Sequence, residues 1–146
     1  MRDLPAVALD VGRARIGVAA TDLRAEVATG VCVVQRKGTR SDIATLLPIF
    51  AQHQAQLLVV GLPFGCEGDD DSARLCRAFA VALAAAQARP VWLIDEADTT
   101  AQADAELRLL GGKAARRRRD IDMHAAKQIL DRWLAGMAAE RALGSG

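Results

Sequence analysis

The sequence predicts a single α/β domain built on a mixed five-stranded sheet with helices on its faces. Three observations carry that reading. Three strand-like runs near the start, residues 5–10, 15–21 and 26–36, are joined by connections short enough for the strands to pair directly. Beyond them, apolar strands alternate with helical segments, the pattern of parallel pairing through crossovers. The chain has 146 residues with no repeat or linker, enough for one domain with a real hydrophobic core.

The elements follow in order. "PAVALD" and "RIGVAAT" are joined by a turn rich in glycine and arginine, and "EVATGVCVVQR" is enriched in β-branched residues. Ser41 is a candidate N-cap for a helix through "DIATLLPIFAQHQ", which Pro48 is expected to kink or shorten. "AQLLVVGLP" is a continuous apolar run ending at Gly61 and Pro63, as in a strand buried on both faces. An acidic loop leads through Asp71 or Ser72, either of which can cap, into an alanine-rich helix ending near Arg89. "VWLID" is the fifth strand. A helix over about residues 99–110 stops at the Gly111-Gly112 pair, with Thr99 and Thr100 read most simply as its caps. A basic loop precedes a last helix over about residues 121–137, and residues 139–146 are expected to fray.

Composition narrows the function classes. Hydrophobic residues make up 51% and charged residues 25%, as in globular domains rather than disordered chains. No apolar run is long enough for a bilayer, and no secretion signal is expected. Three cysteines without CxxC spacing and only two histidines argue against structural zinc and fit reduced thiols in a cytoplasm. The formal net charge of +1 hides a strong asymmetry. Residues 113–119 carry five positive charges, whereas residues 67–71 carry four negative ones.

Three carboxylates fall where chemistry would want them. Asp10 ends the first strand and Glu96 lies just past the fifth, and the carboxyl ends of parallel strands form the usual ligand crevice. Asp122 opens an apolar stripe of Ala126, Ile129, Trp133 and Met137, so it stands at the sheet-facing end of the last helix. Ala125 and Ala126 would let that helix approach the sheet closely. Taken singly, each acid also reads as a turn former or helix cap. Converging, they would repel one another unless a cation neutralised them, and oxygen-only ligands suit Mg²⁺ or Mn²⁺. Arg13 and Arg15 flank the Asp10 turn and could meet phosphates or be solvated hairpin charges. Lys113, Arg116, Arg117, Arg118 and Arg119 form the clearest footprint for nucleic acid, with a solvated charge run as the plain alternative. With two Trp, three Phe and no Tyr, base-stacking platforms are scarce. A lone surface histidine such as His124 is read as having no catalytic part.

"ALDVGRARIGVAATD", "LLVVGLPFGCEGDD", "VWLIDEADTTAQAD" and "DIDMHAAKQIL", in this order and spacing, resemble the YqgF family of bacterial pre-16S rRNA nucleases or Holliday junction resolvase-like proteins. The resemblance spans about residues 4–134 and implies a ribonuclease H-like fold over residues 1–138. It also implies a metal-dependent nuclease acting in pre-16S rRNA 5′-end processing during ribosome biogenesis, in the cytoplasm. The family's acidic residues map onto Asp10, Glu96 and Asp122, as catalytic residues and ligands of Mg²⁺ or Mn²⁺. Three positions depart from the family pattern. Ala97 stands for an arginine after the glutamate, Gly65 for an asparagine after the GLP proline, and Met123 for a lysine after the last aspartate. These bear on rate and substrate preference more than on fold. Two rival readings stand beside a nuclease acting on rRNA: a resolvase acting on branched DNA, and a nucleic-acid-binding module without turnover. The "DxGxxxxG" spacing from Asp10 to Gly17 also resembles the first phosphate hairpin of actin-like ATPases, but those need two lobes and this chain has one.

Overall fold

A computed structural model describes residues 4–63, 71–96, 114–136 and 139–142. The expected helix over residues 99–110, most of the acidic loop, Gly65, Ala97 and Lys113 lie outside those residues. Strands β1 (Ala6–Val11), β2 (Arg15–Thr21) and β3 (Ala28–Gln35) form an antiparallel meander. Helix α1 (Thr39–Gln52) leads to β4 (Leu57–Pro63), α2 (Asp71–Ala86) to β5 (Val91–Glu96), and α3 (Ala114–Leu134) to β6 (Ala139–Arg141). β4 runs parallel to both β1 and β5, and the sheet order is β3-β2-β1-β4-β5-β6. The five expected strands are therefore present, in a mixed sheet.

The sixth strand corrects the expectation of a frayed tail. Ala139, Glu140 and Arg141 pair antiparallel with Ile94, Leu93 and Trp92, and the Ala142 N–H donates to the Val91 carbonyl at 2.8 Å. Ala142 is buried against the sheet. Three residues are too few for a period-2 pattern, so only the partner strand reveals them.

Strand alternation divides the core by size. Val7, Leu9 and Val11 of β1 point to the α1/α2 face with Leu46, Phe50, Phe79 and Leu83. On the opposite face Ala6, Ala8, Ala19 and Ala28 meet Ala126, Ile129, Leu130 and Trp133 of α3. Each large side chain buried this way contributes roughly 2 kcal/mol, while the alanine face lets α3 lie close to the sheet. At the far end of α3, Trp133 and Trp92 rings pack at 5.7 Å.

Two helix starts differ from expectation. α1 begins at Thr39, so Ser41 lies inside its first turn, and no side chain caps it at Gly38. Asp42 instead accepts the Lys37 and Gly38 N–H groups at 2.9 and 3.4 Å. Pro48 does not shorten α1. It is exposed, as is Ala44, so the carbonyl that the proline leaves without a donor lies on the hydrated side. α3 begins at Ala114, so Arg116 to Arg119 are helical rather than a loop. Alanine and arginine are strong helix formers, and a run of like charge is not by itself a helix breaker.

Candidate active site

The strand alternation that puts Ala6 and Ala8 against α3 continues to Asp10, whose register partner across the hairpin is Gly17. A Cβ at Gly17 would collide with the Asp122 carbonyl, and one at Gly30 would come 3.1 Å from the Met123 Cβ. Backbone of α3 and backbone of β2 thus touch beside Asp10, and the close approach expected from Ala125 and Ala126, both fully buried, is observed. It brings together Asp10 and Asp122, which are far apart in the chain. Burial first, and then the negative charge of Asp122, push the Asp10 carboxyl up to about 6 from 3.8.

Asp122 has a cation already. Arg15 Nε donates to Asp122 Oδ2 at 2.7 Å, with the side chains 32% and 14% exposed respectively. Arg13 Nη2 lies 3.6 Å from Asp71 Oδ2, where both side chains are about three-quarters exposed (73% and 75%). Such an exposed pair holds little energy. Both turn arginines that sequence reasoning offered to phosphates are therefore matched with carboxylates, Arg15 firmly and Arg13 loosely.

Glu96 ends β5 opposite Pro63. Because β1, β4 and β5 are parallel, its backbone lies at the same carboxyl edge as Asp10, two strands away and about 12 Å off by standard sheet spacings. The Glu96 side chain lies outside the described residues, as do those of Lys113, Arg116, Arg117 and Arg118. Among the described residues no three His, Cys, Asp or Glu side chains cluster together. The fit of Asp10 and Asp122 to a hard cation rests on the pair itself: two carboxylates close enough for one to lift the other, with oxygen donors alone. The basic start of α3 lies over the same sheet half. Arg119 is exposed, and its charge reaches Cys32 on β3, where it opposes the upward pull of burial on the thiol.

Sequence reasoning missed Arg36 and Asp42. Arg36 Nε donates to Asp42 Oδ2 at 2.7 Å, Nη1 to the Gly12 carbonyl at 3.0 Å and Nη2 to Thr39 Oγ1 at 3.3 Å. Its guanidinium stands 5.3 Å over the Phe79 ring. Burial works against the Asp42 charge, but the Lys37 and Gly38 N–H groups and Arg36 hold its carboxyl below the usual range. Through Gly12 this pair fixes the turn that follows Asp10. The Cys76 thiol, donating to the Val11 carbonyl at 3.5 Å, holds the residue between them. The legible signal was an acid in the first turn after "KGT", which marks a helix start rather than a site.

A family model described as "RuvX: Holliday junction resolvase" matches residues 5–136. The chain belongs to the RuvX family. RuvX relatives named "Putative pre-16S rRNA nuclease" include one from a Synechococcus strain, 36% identical over 141 residues, 96% of this chain and 95% of the relative. Another, from Anaeromyxobacter dehalogenans, is 39% identical over 127 residues, 86% of this chain and 93% of the relative. The RuvX fold is that of RuvC and is ribonuclease H-like. RuvC of T. thermophilus, solved with a Holliday junction substrate, superposes with a TM-score of 0.57 at 14% identity, covering 93% of this chain and 99% of RuvC. The Fowlpox virus resolvase, solved with Holliday junction DNA, gives 0.52 at 8% identity, covering 90% and 97%.

Proposed function

We propose that this chain is a metal-dependent nuclease that hydrolyses phosphodiester bonds of precursor 16S rRNA during 5′-end processing in ribosome biogenesis. The observation that carries the proposal is Asp10, half-buried near the carboxyl end of β1 beside the contact of Gly17 with the Asp122 backbone, its carboxyl raised chiefly by desolvation and then by Asp122 of α3. Arg15 offsets the charge of Asp122 but leaves ionisation of Asp10 costly, and the oxygen donors of the two residues fit Mg²⁺ or Mn²⁺. Asp10 and Asp122 would hold the ion, with Glu96 as third ligand from the end of β5. Bound there, a divalent ion supplies activation of water and neutralisation of charge on the leaving oxygen.

The protein's own groups would do the rest. Arg13 and Arg15, on the turn after Asp10, present positive charge to the phosphate next to the scissile bond. Lys113 and Arg116 to Arg119 supply sequence-independent affinity for the polyanion. Four arginines at a helix N-terminus oppose the helix dipole, a local cost that a bound phosphate backbone would reverse. The RuvX relatives' name supports rRNA as substrate. The resemblance to resolvases solved with four-way DNA supports a second reading, cleavage of branched DNA. No helix among the described residues is long and apolar enough to cross a membrane.

Single-turnover cleavage of labelled precursor rRNA, single-stranded RNA and a Holliday junction, in Mn²⁺ or Mg²⁺, tests the proposal. Wild type should cleave the rRNA precursor slowly, given Ala97 and Gly65 in place of the usual arginine and asparagine. Glu96→Gln and Asp10→Asn should abolish cleavage while nucleic-acid binding in Ca²⁺ persists. Preferred cleavage of the junction would favour the branched-DNA reading. Binding without cleavage of any substrate would leave a binding module.

A further inference from the structure

Arg15 opens β2, and Asp122 lies 107 residues later on α3, yet the two form one of the shortest ion pairs among the described residues, at 2.7 Å. The bond ties up one oxygen of a carboxylate that an incoming divalent ion would need. It is the one hydrogen bond that the Arg15 guanidinium makes among the described residues, and a third of the side chain remains open to solvent. Four further N–H donors of the guanidinium are thus left for a second acceptor. Arg13, on the same turn, has among the described residues the loose contact with Asp71. A phosphate arriving at this turn therefore meets two arginines whose present partners are carboxylates.

We propose that Arg15 is a displaceable counter-cation of Asp122, so that nucleic-acid binding and divalent-metal binding at this site strengthen one another. In the free protein the guanidinium neutralises Asp122, and an ion entering the site must break that pair. When a phosphate draws the guanidinium away, the Asp122 oxygen is released and the ion enters without that cost. By linkage the effect is reciprocal, and the bound ion in turn frees Arg15 for phosphate. The consequence is a site that completes itself only with substrate present, which limits metal-charged nuclease activity in the unbound protein. The inference rests on the reading that Asp10 and Asp122 hold the ion.

The test is Mn²⁺ affinity, by calorimetry and by Mn²⁺ electron paramagnetic resonance. It is measured on the whole protein alone and saturated with a phosphorothioate oligoribonucleotide, with the oligonucleotide's own Mn²⁺ uptake subtracted. In wild type the oligonucleotide should tighten Mn²⁺ binding about tenfold. Arg15→Gln should bind Mn²⁺ in the free protein about as tightly as saturated wild type does, and the oligonucleotide should then add nothing. Arg15→Lys keeps the charge without the Nε geometry and should fall between, which decides the matter if the glutamine variant does not fold. Free-protein affinity unchanged in both variants, or full coupling retained in Arg15→Gln, overturns the proposal. Loss of Mn²⁺ binding in Asp10→Asn with those results would overturn it while sparing the metal site. Mn²⁺ binding that survives in Asp10→Asn with Asp122→Asn would instead overturn the metal reading and this inference with it.

Discussion

Gly17 of β2 lies directly beneath the peptide carbonyl of Asp122, so strand and helix meet backbone to backbone next to Asp10. The contact works only because position 17 has no side chain. It sets the height of α3 over the sheet and thereby the separation of the two carboxylates. Gly17→Ala should push the helix outward and cost about 1–3 kcal/mol, as overpacking in a close contact does. Thermal melting should show the loss, and cleavage should fall further than stability alone explains. Gly30→Ala, where the opposing atom is the Met123 Cβ, should be milder. Wild-type stability in Gly17→Ala would mean that α3 does not rest on this residue.

The raised Asp10 carboxyl has a signed consequence for stability. Folded, it titrates near 6, and 3.8 is its ordinary value, so between those pH values the folded state binds more protons than the unfolded one. Stability from this group is fully present below about pH 4 and is lost as pH rises through 6. Full ionisation therefore costs on the order of 2–3 kcal/mol at neutral pH without a divalent ion. Asp10→Asn should be more stable than wild type in EDTA at pH 8 and differ little at pH 4. Mn²⁺ should reverse that order by stabilising wild type alone. Urea titrations at the two pH values, with and without Mn²⁺, check it, and a destabilised Asp10→Asn at pH 8 in EDTA would contradict it.

Arg36 and Asp42 form a largely buried pair, with side chains 12% and 2% exposed. Removing one partner leaves the other desolvated and unpaired. Arg36→Met should therefore cost roughly 3 kcal/mol. Asp42→Asn added to it should restore part of the loss, since the remaining charge is gone. A double-mutant cycle in urea measures this, and strictly additive costs would show that the two do not depend on each other. The Gly12 carbonyl also loses its donor, so the Asp10 turn should loosen and amide exchange over residues 12–14 should quicken in Arg36→Met.

Replacing Arg116, Arg117, Arg118 and Arg119 with alanine should weaken binding to every nucleic-acid sequence alike. Each lost phosphate contact removes a salt slope of roughly 0.9 on duplex DNA or roughly 0.7 on single strands. Since these residues are helical, alanine should preserve α3, and melting should stay at or above the wild-type temperature. Binding titrations across salt concentration decide it. An unchanged slope would mean that this end of α3 is only a solvated face.

The apolar runs of β1 and β4 and the turn glycines were legible in the chain because strand and turn preferences are local. So was the apolar stripe of α3 through Ala126, Ile129 and Trp133, all buried as that spacing requires. The placement of Asp10 at a strand end followed from the same local grammar. Where local signals were weak or opposed, tertiary structure decided. The arginine run is helical because its residues form helices well, although its charge had suggested a loop. The three residues of β6 are a strand only because β5 offers an open edge. Arg15 turns to Asp122 rather than to solvent, and Arg36 to Asp42 and Gly12, because packing brings those acceptors within 3.0 Å. An ion pair needs a partner at a distance and orientation that periodicity does not encode. The sequence determined which residues could carry charge to the edge of the sheet; the folded backbone, meeting at Gly17 and Asp122, determined which of them touch.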